Sequence, residues 1–164
     1  MARIALFLVF LFLLPAHLLA GSASTGLAVS VVVENTCAIS TSAVNFGSYD
    51  PIMTHATSSL DGAGVVTITC TKGSTTSVSL SPGGNAPGAG TSRALSNGAA
   101  KLSYEIYKDA GRTSVWGSSA AAVLNPSTTP DRAPRSFTAY GRVPSGQDVP
   151  AGSYSDTVVA TVNF

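Results

Sequence analysis

Val65-Val66-Thr67-Ile68-Thr69-Cys70 is the stretch that decides the fold. Successive side chains of an extended strand point to opposite sides, so Val66, Ile68 and Cys70 share one face and Val65, Thr67 and Thr69 the other. The same period of two recurs on both sides of it. Downstream, Val78 and Leu80 make a short strand, and Leu102, Tyr104 and Ile106 alternate with Ser103, Glu105 and Tyr107. Phe137, Ala139, Gly141 and Val143 alternate with Thr138, Tyr140 and Arg142, and Val158, Ala160, Val162 and Phe164 with Thr157, Val159, Thr161 and Asn163. Upstream, the run 38–46 ends at Gly47, and Leu27, Val29, Val31 and Val33 occupy every second position before it. The spacer 81–90 is rich in Gly and Pro, which cost entropy or lack the ladder donor, and 125–134 is a second irregular segment. Six or more short strands with turn-rich spacers predict an all-β, antiparallel sandwich or barrel in one domain.

Composition narrows the class further. The chain has 164 residues, 9 Lys+Arg against 8 Asp+Glu, and only 10% charged residues. Its basic residues are scattered, whereas duplex binding rests on clustered Lys and Arg, so no nucleic acid partner is expected. Arg3, the apolar run 4–14, Pro15 and the small residues up to Ala23 have the layout of a secretory signal peptide, assigned to 1–23, with cleavage after Ala20 or Ala23. Pro15 and His17 interrupt a run already short for a membrane span, so no stable membrane insertion is expected after cleavage. In an exported protein the two cysteines, Cys37 and Cys70, form a disulfide that closes a loop of 33 positions. The chain-entropy model gives such a closure roughly 3–4 kcal/mol.

The catalytic inventory is thin. His55 is the one histidine after the signal segment and has no nucleophile elbow near it, so it reads as a solvent-exposed loop residue. Asp50, Asp61 and Asp109 sit beside Pro, Gly or Ala-Gly and read as turn builders. No phosphate loop, dinucleotide fingerprint or metal-ligand cluster stands out, and the expectation is a non-enzyme with no cofactor and no metal. Trp116 and Tyr49, Tyr104, Tyr107, Tyr140 and Tyr154 could stack on sugars, but Tyr104 falls on the apolar face of its strand, and it and Trp116 are expected in the core.

The two ends of the exported part matter more. Segments 27–33 and 158–164 could pair inside one sandwich, or the first could be lent to another copy, since ladder bonds and alternating pockets work equally well between chains. The pattern alone leaves both open.

Several motifs in order carry a family resemblance. Cys37, then Val44-Asn45-Phe46-Gly47-Ser48-Tyr49-Asp50-Pro51, then Val66-Thr67-Ile68-Thr69-Cys70-Thr71 resemble the spore coat protein U domain, which is shared with subunits of archaic chaperone–usher pili. The likeness continues through 102–109, Arg112-Thr113, Trp116-Gly117, Tyr140-Gly141-Arg142-Val143-Pro144 with Gln147, and 152–158. The resemblance implies an immunoglobulin-like sandwich lacking its last strand, completed by a strand donated from the next subunit. It implies a periplasmic chaperone and an outer-membrane usher as partners, besides other copies or related subunits. Mapped onto this chain, 24–36 is the donor segment with Leu27, Val29, Val31 and Val33 as its knobs. The domain is then 37–164, with Val158, Ala160, Val162 and Phe164 in the final strand beside the groove. The function so implied is a structural subunit of a surface pilus, exported through the periplasm, serving adhesion and biofilm formation. The alternatives are a spore or cell-surface coat protein and a secreted monomeric carbohydrate-binding sandwich.

Overall fold

The computed structural model of the protein describes residues 21–87 and 92–164. Most of the stretch expected to be an export signal, 1–20, and part of the glycine-rich spacer lie outside the described residues. The chain divides into two units, Met1–Val32 and Val33–Phe164. In the first, residues 21–32 carry neither helix nor strand, and Leu27, Val29 and Val31 are 89%, 88% and 87% exposed. Their alternation suits a strand, but a strand exists only when its backbone groups find a ladder partner.

Among its described residues the second unit is all-β apart from a single 3-10 turn, Thr54–Ala56. Its strands are β1 (Cys37–Asn45), β2 (Leu60–Cys70), β3 (Ser77–Leu80), β4 (Arg93–Asn97), β5 (Ala100–Tyr107), β6 (Arg135–Val143) and β7 (Ala160–Asn163). A five-stranded sheet runs β1-β2-β6-β5-β4 and a two-stranded sheet pairs β3 with β7, every ladder antiparallel. The result is an immunoglobulin-like sandwich with unequal layers. Between them lie Val66, Ile68 and Cys70 of β2, Leu102, Tyr104 and Ile106 of β5, Ala139 and Val143 of β6, and Val78 and Leu80 of β3. These are the faces that the period-two pattern sends inward. Trp116 is wholly buried among them, and its indole nitrogen donates to the Val78 carbonyl at 2.9 Å, satisfying its one polar group.

One strand is not expected from the sequence, and three expectations change. β4 has no apolar alternation because its first inward residue is Arg93, which is buried. Its guanidinium pairs with Glu105 and donates to the carbonyls of Ser81 at 2.9 Å and Trp116 at 2.8 Å, so the charge is compensated where it is desolvated. The last strand is shorter than 158–164: Ser155 bridges β4 at Ser96, and Val159 is bonded to Ser81, before β7 begins. His55 is buried, not solvent-exposed; it stacks on Tyr49 with ring centroids 5.0 Å apart, and its Nδ1 accepts the Asp50 amide at 2.8 Å. Asp61 is no turn builder; it lies in β2 opposite Arg142 and takes a two-pronged bond from that guanidinium at 2.7 and 2.9 Å.

Candidate functional site

The sandwich is open on one side. β1 is the edge of the large sheet, hydrogen-bonded only to β2. Ile39 and Thr41 are the partners of Ile68 and Val66, so they share the core-facing side, yet Ile39 is 36% exposed and Thr41 is exposed. Nothing covers them because the facing sheet stops at β7, whose far edge carries no further strand among the described residues.

A cavity of about 270 Å³ occupies that gap, walled by Thr41, Ala43 and Val44 on one side and by Thr157, Val158 and Ala160 on the other, with Val66, Tyr104, Ile106 and Ala139 in its lining. It opens into a cleft of about 770 Å³ between 43–49 and 149–156, lined also by Leu60, Leu102 and Val143. Ala43, Val44, Phe46, Leu95 and Asp156 border both, which makes one continuous groove.

Its β1 wall is shaped by a register shift between Ser42 and Asn45, the bulge that bends the strand over the sheet. Val44 and Phe46 then lie on glycines. A Cβ on Gly64 would meet the Ser42 carbonyl oxygen at 2.7 Å, and one on Gly141 would meet Val44 and Phe46 at 2.7 Å. Phe46 turns its edge to Tyr104, centroids 5.9 Å apart.

The opposite wall is fastened by Asp156, the one charged side chain lining the groove among the described residues. One carboxylate oxygen accepts the Tyr104 hydroxyl at 2.8 Å; the other accepts the Asn85 amide and side chain, both at 3.1 Å, and the Thr157 amide at 2.8 Å. Burial, then the bond to this carboxylate, holds the Tyr104 phenol far above its ordinary pKa, so it stays a donor.

A second set of contacts fixes the chain just before β1. Cys37 and Cys70 are joined, S–S 2.02 Å, at the first rung of the β1–β2 ladder. Thr71 Oγ1 accepts the Thr36 amide at 3.1 Å and donates to the Glu34 carbonyl at 3.1 Å, and the Ser74 hydroxyl lies 2.5 Å from Asn35 Oδ1. Residues 34–37 are thereby held to the end of β2, while Val33 is exposed.

The residues singled out from sequence fall as follows. Leu27, Val29, Val31 and Val33 are exposed and outside any strand. Val158, Ala160 and Val162 are half-buried and pack on the core from the groove wall, and Phe164, beyond β7, is exposed. Sequence reasoning missed Phe46 as a wall residue and Asp156 as the clamp. Phe46 follows a bulge that resets the facing pattern, and Asp156 sits in a polar run without periodicity.

The comparisons with known proteins agree with this architecture. The family model described as Spore Coat Protein U domain matches residues 23–161. Protein U of Myxococcus xanthus is 35% identical over 158 residues, covering 88% of this chain and 87% of that protein. A solved structure, the CsuC–CsuE chaperone–tip adhesion subunit pre-assembly complex from the archaic chaperone–usher Csu pili of Acinetobacter baumannii, is similar at TM-score 0.55 and 28% identity. That match covers 80% of this chain and 40% of the matched chain, so the chain spans about two fifths of the matched chain's length. The matched span, the two-layer antiparallel fold and the relative at 35% identity lead to one conclusion: this chain belongs to the spore coat protein U domain family.

Proposed function

We propose that the protein is a structural subunit of a surface pilus of the chaperone–usher type, polymerised by donor-strand exchange. The observation that carries this is the pairing of an open apolar groove with an apolar, alternating segment of the same chain, 27–33, that is exposed and unpaired. Leu27, Val29, Val31 and Val33 of one copy are the knobs, and the space between β1 and the wall bearing Val158, Ala160 and Val162 of the next copy is the acceptor. Burying four such side chains supplies on the order of 6–12 kcal/mol gross. An unfilled groove exposes core and strand edge together, an aggregation hazard that calls for a covering partner. A periplasmic chaperone plays that part before an outer-membrane usher mediates exchange. The chaperone complex of the similar Csu structure supports this reading. Residues 1–23 act as the export signal, 24–36 as donor segment and 37–164 as the domain, and the assembled fibre serves adhesion and biofilm formation.

The test is thermal unfolding of the mature domain lacking 24–33, with and without a peptide of that segment. A large upward shift with peptide is expected; a cooperative, already high melting point that the peptide leaves unchanged means a self-sufficient sandwich. The match to a family described as a spore coat domain, with the likeness to Protein U over most of both chains, favours a second reading, a coat component built by the same strand transfer without a long filament. Electron microscopy of the assembled protein separates filaments from a continuous layer.

A further inference from the structure

Ile52 and Met53 are adjacent in the chain and 78% and 74% exposed, the most exposed large apolar side chains of the second unit apart from Val33. They do not sit on a slack loop tip. Asp50 Oδ1 accepts the amides of Ile52 and Met53, both at 3.0 Å, while the Asp50 amide donates to His55 Nδ1 and its carbonyl accepts the His55 amide at 2.9 Å. The His55 ring lies on Tyr49, whose hydroxyl donates to the Pro144 carbonyl at 3.1 Å and accepts the Gln147 amide at 3.0 Å. A buried histidine, a stacked tyrosine and an Asx turn thus hold two apolar side chains out into water. Holding them exposed has a hydration cost that a partner surface would relieve.

Position identifies that partner. Gly47, Ser48, Tyr49 and Pro51 form the rim of the groove at its wide end, opposite 149–153, so the Ile52–Met53 loop stands at that mouth. Every ladder in the fold is antiparallel. On the strand-exchange reading the donated strand takes the free edge of β7; paired antiparallel there, it runs opposite to β7 and leaves the groove where the chain enters β7, at the wide end. Beyond Val33 only Glu34, Asn35 and Thr36 precede Cys37, roughly 10 Å of extended chain. All three are already fixed on Thr71 and Ser74. A domain tethered so closely has to stand against the mouth of the groove it fills.

We infer that Ile52 and Met53 form a docking knob for the donating copy of this chain, meeting its pole around Thr36, residues 71–74 and the exposed Pro130. This rests on the strand-exchange reading and adds a domain-to-domain contact that the donated strand alone does not make.

The experiment compares the full mature chain with its Ile52→Ser/Met53→Ser variant in two assays. The first is uptake of the 24–33 peptide by each protein after removal of its own 24–33 segment. Equal uptake is expected, because the peptide brings no domain to dock; uptake by neither protein sinks the strand-exchange reading and this inference with it. Weakened uptake by the variant alone assigns the pair to strand binding and overturns the domain contact. The second is the lifetime of polymers of the full chains in denaturant, where the variant should dissociate about tenfold faster or more. Equal lifetimes overturn the inference. Equal lifetimes with reduced retention of the variant polymer on a hydrophobic bead would show that the pair meets an external surface instead. Isotope-labelled Met53 methyl resonances supply an independent readout: they should shift when a donor-bearing copy binds and stay put when the peptide does.

Discussion

Replacing both cysteines by alanine, Cys37→Ala with Cys70→Ala, tests how the groove wall is held. Alanine avoids putting a hydroxyl in the core at position 70, which is buried. The bridge closes a loop of 33 positions, for which the chain-entropy model gives about 3–4 kcal/mol, a large part of the roughly 5–15 kcal/mol a domain possesses. The structure also says where the loss should fall. β1 is an edge strand whose side chains are mostly exposed, so little burial holds it, and its ladder to β2 begins at the bridged pair. Denaturant unfolding of the peptide-filled domain should give a loss of about 3–4 kcal/mol. Native-state amide exchange should show β1 losing protection before β2 and β6, because it can detach locally. A loss under about 1 kcal/mol with β1 still protected would refute this reasoning. A full loss spread evenly over all strands would show that the bridge acts through the unfolded chain alone and does not hold the wall.

Other substitutions probe other parts. Val29→Asp with Val31→Asp should abolish polymerisation, measured by size-exclusion chromatography and microscopy, with the unfolding of the domain itself unchanged. Gly64→Ala should destabilise by about 1–3 kcal/mol and weaken uptake of the 24–33 peptide, because the new Cβ pushes on the backbone of the bent β1 wall. Arg93→Met leaves Glu105 without its partner and should cost about 3–5 kcal/mol, with much of that recovered in Arg93→Met/Glu105→Leu; equal losses in single and double variants would remove the pair from the explanation. Acid should unfold the domain through three carboxylates held below their usual range: Asp50 by the amides of Met53 and Ile52, Asp61 by Arg142, and Asp109 by the amides of Thr113 and Ser114. A depressed folded pKa stabilises above the unfolded value and is lost on protonation, so the melting temperature should drop as pH falls below about 4, less steeply in Asp61→Asn.

Much of the architecture was legible from alternation. The inward faces of β2, β5 and β6 carry the apolar sets that the period of two selects, since each strand has one dry side. Legibility failed where charge, bulges or hydrogen bonds override hydropathy. Arg93 disguises β4 because a buried guanidinium looks like a surface residue until its carbonyl partners are known. The bulge in β1 shifts Val44 and Phe46 onto glycines that come from two other strands. His55 reads as exposed because its environment is built by Tyr49 and by 144–147, almost a hundred positions away. The groove was legible only through the resemblance. Its walls belong to segments more than a hundred residues apart, and no local pattern announces a strand that is missing.

The placement of the bridge has a mechanical consequence. In a fibre linked by the proposed strand exchange, tension would enter each domain through 34–36, pass their hydrogen bonds to Thr71 and Ser74, and reach the bridge at Cys37. Without the bridge that pull would peel β1 from β2, rung by rung, from its loaded end. With it, the force passes through the sulfur atoms to the last residue of β2, which is held to β6 over the paired length from Leu60 to Ile68. The pull arriving from the N-terminal side is thus kept off the β1–β2 ladder while β1 still walls the groove. The weakest link under stretch moves from the interior of the subunit to the strand seated in its neighbour.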